Sequence, residues 1–87
     1  MYVIVVYDID VERLNKVRAI LRRYLFWVQN SVFEGEISES SLAALKKQLK
    51  DVMDKSYDSV IFYRFSSQKA VIRDVLGIDP GMRDFLL

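Results

Sequence analysis

The sequence predicts an α+β fold, an antiparallel-rich sheet with two helices on one face. Three observations predict it. The β-rich apolar runs Tyr2–Tyr7, Phe26–Ile37 and Ser59–Phe65 are separated by two amphipathic stretches at the helical period, giving a β-α-β-β-α-β order. The two helical stretches carry their apolar residues at the same offsets, so the chain reads as two related strand-helix-strand halves. Only three Gly and one Pro interrupt 87 residues that are 52% hydrophobic, which excludes a disordered chain and fits one small domain.

Tyr2–Tyr7 (Y-V-I-V-V-Y) is unbroken, apolar and β-branched, the pattern of a central strand buried on both faces, and it ends at Asp8. Asp10 is placed to cap a helix over Val11–Leu25, with Glu12 in its first turn. The apolar stripe there is Leu14, Val17, Leu21, Tyr24 and Leu25. Phe26–Ile37 reads either as one long strand or, as preferred here, as two short strands joined at the turn formers Asn30-Ser31. In the second of these, Phe33, Gly35 and Ile37 share one face, and Glu34 and Glu36 the other. Ser38 caps the next helix, which runs to about Met53 with Leu42, Leu45, Leu49, Val52 and Met53 in its stripe. Ser59–Phe65 is a further apolar strand, Ser66-Ser67-Gln68 a turn, Ala70–Leu76 an extra strand closed by Gly77, and Asp79-Pro80-Gly81 a turn.

This is the order of a ferredoxin-like sandwich with an extra C-terminal strand. The domain is expected to span residues 1–78, followed by a tail over 79–87 whose Phe85, Leu86 and Leu87 need an apolar surface to dock on. Both helices on one face leave the other face of the sheet bare. A second copy of the sheet, packed face to face in a homodimer, is the expected cover.

Composition narrows the chemistry. With no Cys there is no disulfide framework, thiolate zinc site or Cys nucleophile. With no His the commonest general base and the Ser-His-Asp triad are gone. Chemistry must come from carboxylates, Lys/Arg, Tyr, hydroxyls or a hard metal ion held by oxygen. Tyr2–Tyr7 is too short for a signal peptide or a membrane span, so the expected location is the cytoplasm, with no membrane partner.

The net charge is +1, but it is unevenly spread. Arg13, Lys16, Arg18, Arg22 and Arg23 against Glu12 make Val11–Leu25 +4 and the rest of the chain −3. Five cations on one helix can track a phosphate backbone; a solvated helix face with long stems lying over the core edge is the plainer alternative. Asp8 is the first charge after six apolar residues and sits at the carboxyl end of the central strand, where a stiff scaffold presents a functional side chain. One carboxylate binds Mg²⁺ poorly, whereas two copies of Asp8 related by a two-fold axis make a better site; a turn or capping carboxylate is the alternative. Glu34 and Glu36 are a second candidate pair for a divalent ion, or simply the wet side of a half-buried strand. The sheet aromatics can stack bases, although the aromatic RNA-recognition signature is absent and no Gly-rich phosphate loop exists.

Particular strings add a resemblance. V-V-Y-D-I at 5–9, N-K-V at 15–17, V-Q-N-S-V-F-E-G-E-I at 28–37, S-V-I-F-Y-R-F at 59–65 and V-L-G-I-D at 75–79 resemble, in order and spacing, the small CRISPR-associated adaptation protein, the "Cas-two" family. The resemblance implies a ferredoxin-like homodimer whose C-terminal strand crosses to the partner's sheet. It implies a metal-dependent endonuclease on single-stranded RNA or double-stranded DNA, with Asp8 as the catalytic and metal-holding residue around one divalent ion, Mg²⁺ or Mn²⁺. It further implies an adaptor that bridges two dimers of the CRISPR integrase subunit and holds the duplex captured during spacer integration, with Arg13, Lys16, Arg18, Arg22 or Arg23 on the DNA backbone. Phe33 matches an aromatic near the family's cleft. Many relatives carry two successive bases before N-K, whereas here Arg13 is followed by Leu14. Apart from the resemblance, a small-molecule or regulatory ferredoxin-like module is a third reading, without a diagnostic loop to recommend it.

Overall fold

The computed structural model describes residues 1–80. Strand β1 (Tyr2–Asp8) is followed by helix α1 (Val11–Arg22), strands β2 (Phe26–Gln29) and β3 (Val32–Glu36), helix α2 (Glu39–Val52) and strand β4 (Ser59–Phe65). The four strands form one sheet in the order β2-β3-β1-β4, with every neighbouring pair antiparallel. That is the ferredoxin-like order expected from the sequence, with β1 central.

Register decides which side chains meet. Val5 lies opposite Phe33 on β3 and Phe62 on β4, and Tyr7 opposite Val60. Val3, Val5, Tyr7 and Phe33 therefore share the face that packs on Val17, Ile20 and Leu21 of α1 and Leu42, Leu45 and Leu49 of α2. This layer is the core. The alternate residues Tyr2, Ile4 and Val6, with Val32, Ile61, Tyr63 and Phe65, lie on the other face, which no helix covers. Ile61 and Tyr63 are exposed there.

Both helix starts are capped as the sequence suggests. The Asp10 carboxylate accepts from the Glu12 amide at 3.1 Å, and the Ser38 hydroxyl from the Ser41 amide at 3.1 Å. Helix α1 stops at Arg22, three residues before the expected Leu25. The Arg23 and Tyr24 amides return to the Ile20 and Leu21 carbonyls, tightening the last turn, and Leu25 drops into the core at the start of β2. The 26–37 stretch is the preferred hairpin, with Asn30 in the left-handed region at φ 38°.

The extra strand expected over Ala70–Leu76 does not form in the single chain. Gln68–Ala70 makes one 3₁₀ turn, and residues 71–80 pair with no strand. Instead the segment lies over the uncovered face. A cleft of about 530 Å³ separates Ile4, Val28, Val32 and Glu34 beneath from Asp74, Val75, Leu76 and Ile78 above. Arg73 fastens the segment by an ion pair to Glu34. A ladder needs a free neighbouring edge, and a segment lying across a face presents its amides and carbonyls to none. Ile72 and Leu76 are exposed on this segment. The expected tail residues Met82–Leu87 lie outside the described residues. Among the described residues no helix is long and apolar enough to cross a membrane.

Candidate functional site at the carboxyl end of β1

Asp8 closes β1 opposite Ser59, on the sheet face away from the helices. It is exposed, and no hydrogen bond or ion pair engages its side chain among the described residues. Asp10 does not join it. The Asp10 carboxylate caps α1, and its amide donates to Asp58 Oδ1 at 2.9 Å. The spacing of two residues thus separates a capping acid from a free one.

Asp58 holds this end of the fold together. It is buried, and its two oxygens accept from the Asp10 amide, from the Asp54 amide at 2.9 Å, from Arg13 Nε at 2.6 Å and from Arg13 Nη2 at 3.0 Å. The bidentate Arg13 guanidinium, supported by the two amides, holds the Asp58 carboxyl well below the usual carboxylate range, against the opposing effect of burial. The same contact raises the Arg13 guanidinium further above its ordinary value. Sequence reasoning missed Asp58, because an acid in a short loop before a strand carries no periodic signal.

The basic residues of α1 divide into groups. Arg13 is turned inward by Asp58. Arg18 Nε donates to the Tyr7 hydroxyl at 3.1 Å, and that hydroxyl donates to the Asn30 carbonyl at 3.0 Å. Arg23 Nη1 donates to Gln48 Oε1 at 2.8 Å. Lys16 and Arg22 are exposed with no ion-pair partner among the described residues. Because Tyr7 precedes Asp8 and the Tyr7 amide binds the Ser31 carbonyl, Arg18 and the β2–β3 turn lie at the same end of the sheet as Asp8.

Phe33, expected beside a cleft, is fully buried on the helix side of the sheet, its ring centroid 5.9 Å from that of Tyr7. It is a core side chain behind the end of β1. The register explains this: Phe33 faces Val5, an inward residue. Glu34 and Glu36 do share the other face, but Glu34 is committed to Arg73 and is bonded by the Tyr2 hydroxyl. Burial, then this bond to Glu34, push the Tyr2 phenol up to about 12. The pair is therefore not a joint donor set.

Among the described residues no group of three or more His, Cys, Asp or Glu is placed to hold a metal ion. Of Asp8, Asp10 and Asp58, the acids gathered around the end of β1, only the Asp8 carboxylate is free. As a hard oxygen donor with nothing else to bind, it suits Mg²⁺ or Mn²⁺ chemically, but a second carboxylate has to come from a second copy.

The chain matches the family described as CRISPR associated protein Cas2 over residues 1–71. It is 54% identical over 86 residues to the CRISPR-associated endoribonuclease Cas2 3 of Thermodesulfovibrio yellowstonii, covering 99% of this chain and 98% of that one. It is 50% identical over 82 residues to the CRISPR-associated endoribonuclease Cas2 2 of Archaeoglobus fulgidus, covering 94% and 89%. Among solved structures, one described as a crystal structure of Cas2 superposes with a TM-score of 0.82 at 49% identity, covering 91% of this chain and 88% of that one. Streptococcus pyogenes Cas2 superposes with a TM-score of 0.73 at 33% identity, covering 88% and 100%.

Proposed function

Since the chain belongs to the CRISPR-associated Cas2 family, we propose that it is a metal-dependent endonuclease of spacer acquisition that cleaves single-stranded RNA as a homodimer in the cytoplasm. The observation that carries this reading is the free, exposed Asp8 carboxylate at the end of the central strand, on the face that the helices leave open. Relatives named endoribonucleases support the reaction class.

Two Asp8 residues, one from each copy, would hold the divalent ion. When bound, Mg²⁺ or Mn²⁺ supplies Lewis-acid polarisation of the scissile phosphate and an activated water. Asp58 supports the step indirectly. By fixing the turn after β1 to the loop before β4, it holds Asp8 in place. Cations of α1 steady the phosphate chain, with Lys16 and Arg22 the freest of them. Replacement of Asp8 by Asn is expected to lower cleavage of single-stranded RNA about 100-fold, the scale of losing one group that stabilises transition-state charge. Unchanged cleavage at equal metal concentration would refute the assignment.

A second reading is favoured by the unpaired Lys16 and Arg22 on the exposed side of α1. Here the dimer is a non-catalytic adaptor that holds duplex DNA between integrase dimers. In the same set of measurements, reversing both charges weakens duplex binding and lowers its salt slope by roughly one per lost phosphate contact. Asp8→Asn then leaves duplex binding intact.

A further inference from the structure

We propose that Trp27 and Arg18 form a binding site for one unpaired nucleotide, with the base stacked on the indole and a phosphate on the guanidinium. The proposal rests on the nucleic-acid reading above and adds a residue that reads strandedness.

Trp27 lies on β2, an edge strand, so no neighbouring strand covers it on that side. It sits opposite Phe33 and therefore on the helix side of the sheet, away from the open face that a second copy would occupy. Dimerisation there leaves it accessible. Although it is the chain's largest apolar side chain, it is 37% exposed. Its ring is nevertheless fixed. Trp27 Nε1 donates to the Asn30 carbonyl at 3.1 Å, and the irregularity between Trp27 and Gln29 re-aims the strand locally.

The same Asn30 carbonyl also accepts from the Tyr7 hydroxyl, and Tyr7 in turn accepts from Arg18 Nε. One carbonyl, on a residue in the left-handed region, thus sets both the indole and the guanidinium. Arg18 spends one of its five N–H donors on Tyr7, and no ion pair neutralises it among the described residues. A half-exposed aromatic held rigidly beside an unneutralised guanidinium offers a π surface and a fork of donors together. Those are the two features of a nucleotide, a base face and a phosphate. In a duplex the base faces are stacked on their neighbours except at the two ends, so along its length the indole finds no base face to engage.

Trp27 is the chain's only tryptophan, so its emission reports the site without a probe. The experiment titrates the intact protein with decauridylate and, separately, with a blunt DNA duplex, following Trp27 emission and the anisotropy of end-labelled nucleic acid in parallel. Decauridylate is expected to quench Trp27 and the duplex to leave it unchanged. Trp27→Ala is expected to weaken decauridylate binding by about 5- to 150-fold, the range for loss of one base–aromatic stack, with duplex affinity kept. Trp27→Tyr should restore most of the loss, and circular dichroism checks that both variants are folded. Binding of decauridylate without a change in emission refutes the site while leaving the nucleic-acid function standing. An equal loss of single-strand and duplex affinity in folded Trp27→Ala also refutes it. If the wild-type protein binds no single strand at all, the single-strand nuclease reading falls together with the site.

Discussion

Replacement of Phe33 separates a packing role from a role in a cleft. Its side chain is fully buried between Val5 of β1, the Tyr7 ring and the helix layer. Truncation to Ala forfeits a transfer term of up to about 3 kcal/mol, and the cavity left behind raises the loss to about 3–5 kcal/mol. The tilted contact with Tyr7, at 43° between ring planes, belongs to the aromatic pairs that add roughly 0.5–1.5 kcal/mol beyond area. A domain of 87 residues has a total stability of roughly 4–13 kcal/mol, so Phe33→Ala removes a large share and can unfold the chain outright. Phe33→Leu keeps most of the volume and is expected to cost roughly 1–2 kcal/mol. The assay is urea denaturation at fixed protomer concentration, because association shifts the apparent stability. The expected result is a lowered midpoint at unchanged slope for Phe33→Leu, with RNA cleavage retained by the folded fraction. A Phe33→Leu protein of wild-type stability that has lost cleavage would refute the packing argument and return Phe33 to a cleft.

Two predictions concern pH. Asp58 is held ionised in the fold, so its contribution to stability is complete above the unfolded carboxylate value of about 3.9 and is lost as pH falls through its lower folded value. The stability difference between wild type and Asp58→Asn should therefore be constant at neutral pH and shrink below about pH 4, measured by denaturant midpoints across the acid range. Tyr2 has the opposite sign. Its phenol is raised to about 12, so the fold favours the protonated form, and the stabilisation is complete below the unfolded value and lost as pH rises through the folded one. An ultraviolet titration should show Tyr2 ionising late, and Glu34→Gln should lower its value by removing a negative charge and leaving a weaker, neutral acceptor.

The pattern of apolar residues carried most of the fold. The offsets shared by the two helices place Leu42, Leu45 and Leu49 in the core, as they place Val17 and Leu21. The unbroken run in β1 signals a strand between two others, and its even-numbered side is the face left without helices. The end of α1 was not legible, since no Gly or Pro marks it and the demand of Leu25 for the core decides it. The segment after β4 forms no strand within the single chain, for a different reason. Ala70–Leu76 has strand composition, but a strand requires an edge to pair with, and the edge expected for it belongs to a second copy. At the candidate site the Asp10 cap was legible from its position before α1, whereas the spacing alone left Asp8 open between a metal ligand and a turn carboxylate. The five cations read as one ridge, yet Arg13 is drawn inward by Asp58, and that pairing joins residues 45 positions apart. Trp27 carried no signal of its own within an aromatic-rich hairpin; only its exposure and its bond to Asn30 distinguish it.

Asp58 has one further consequence. Four hydrogen bonds from three stretches of chain converge on its two oxygens, so it works as a rivet through the seam where β1 leaves the sheet and β4 enters it. Neither stretch can slide past the other while the rivet holds. In the dimer proposed above, two subunits would then alter the gap between their acidic strand ends only by rocking as whole bodies, and a local swing of the turn would not be open to them.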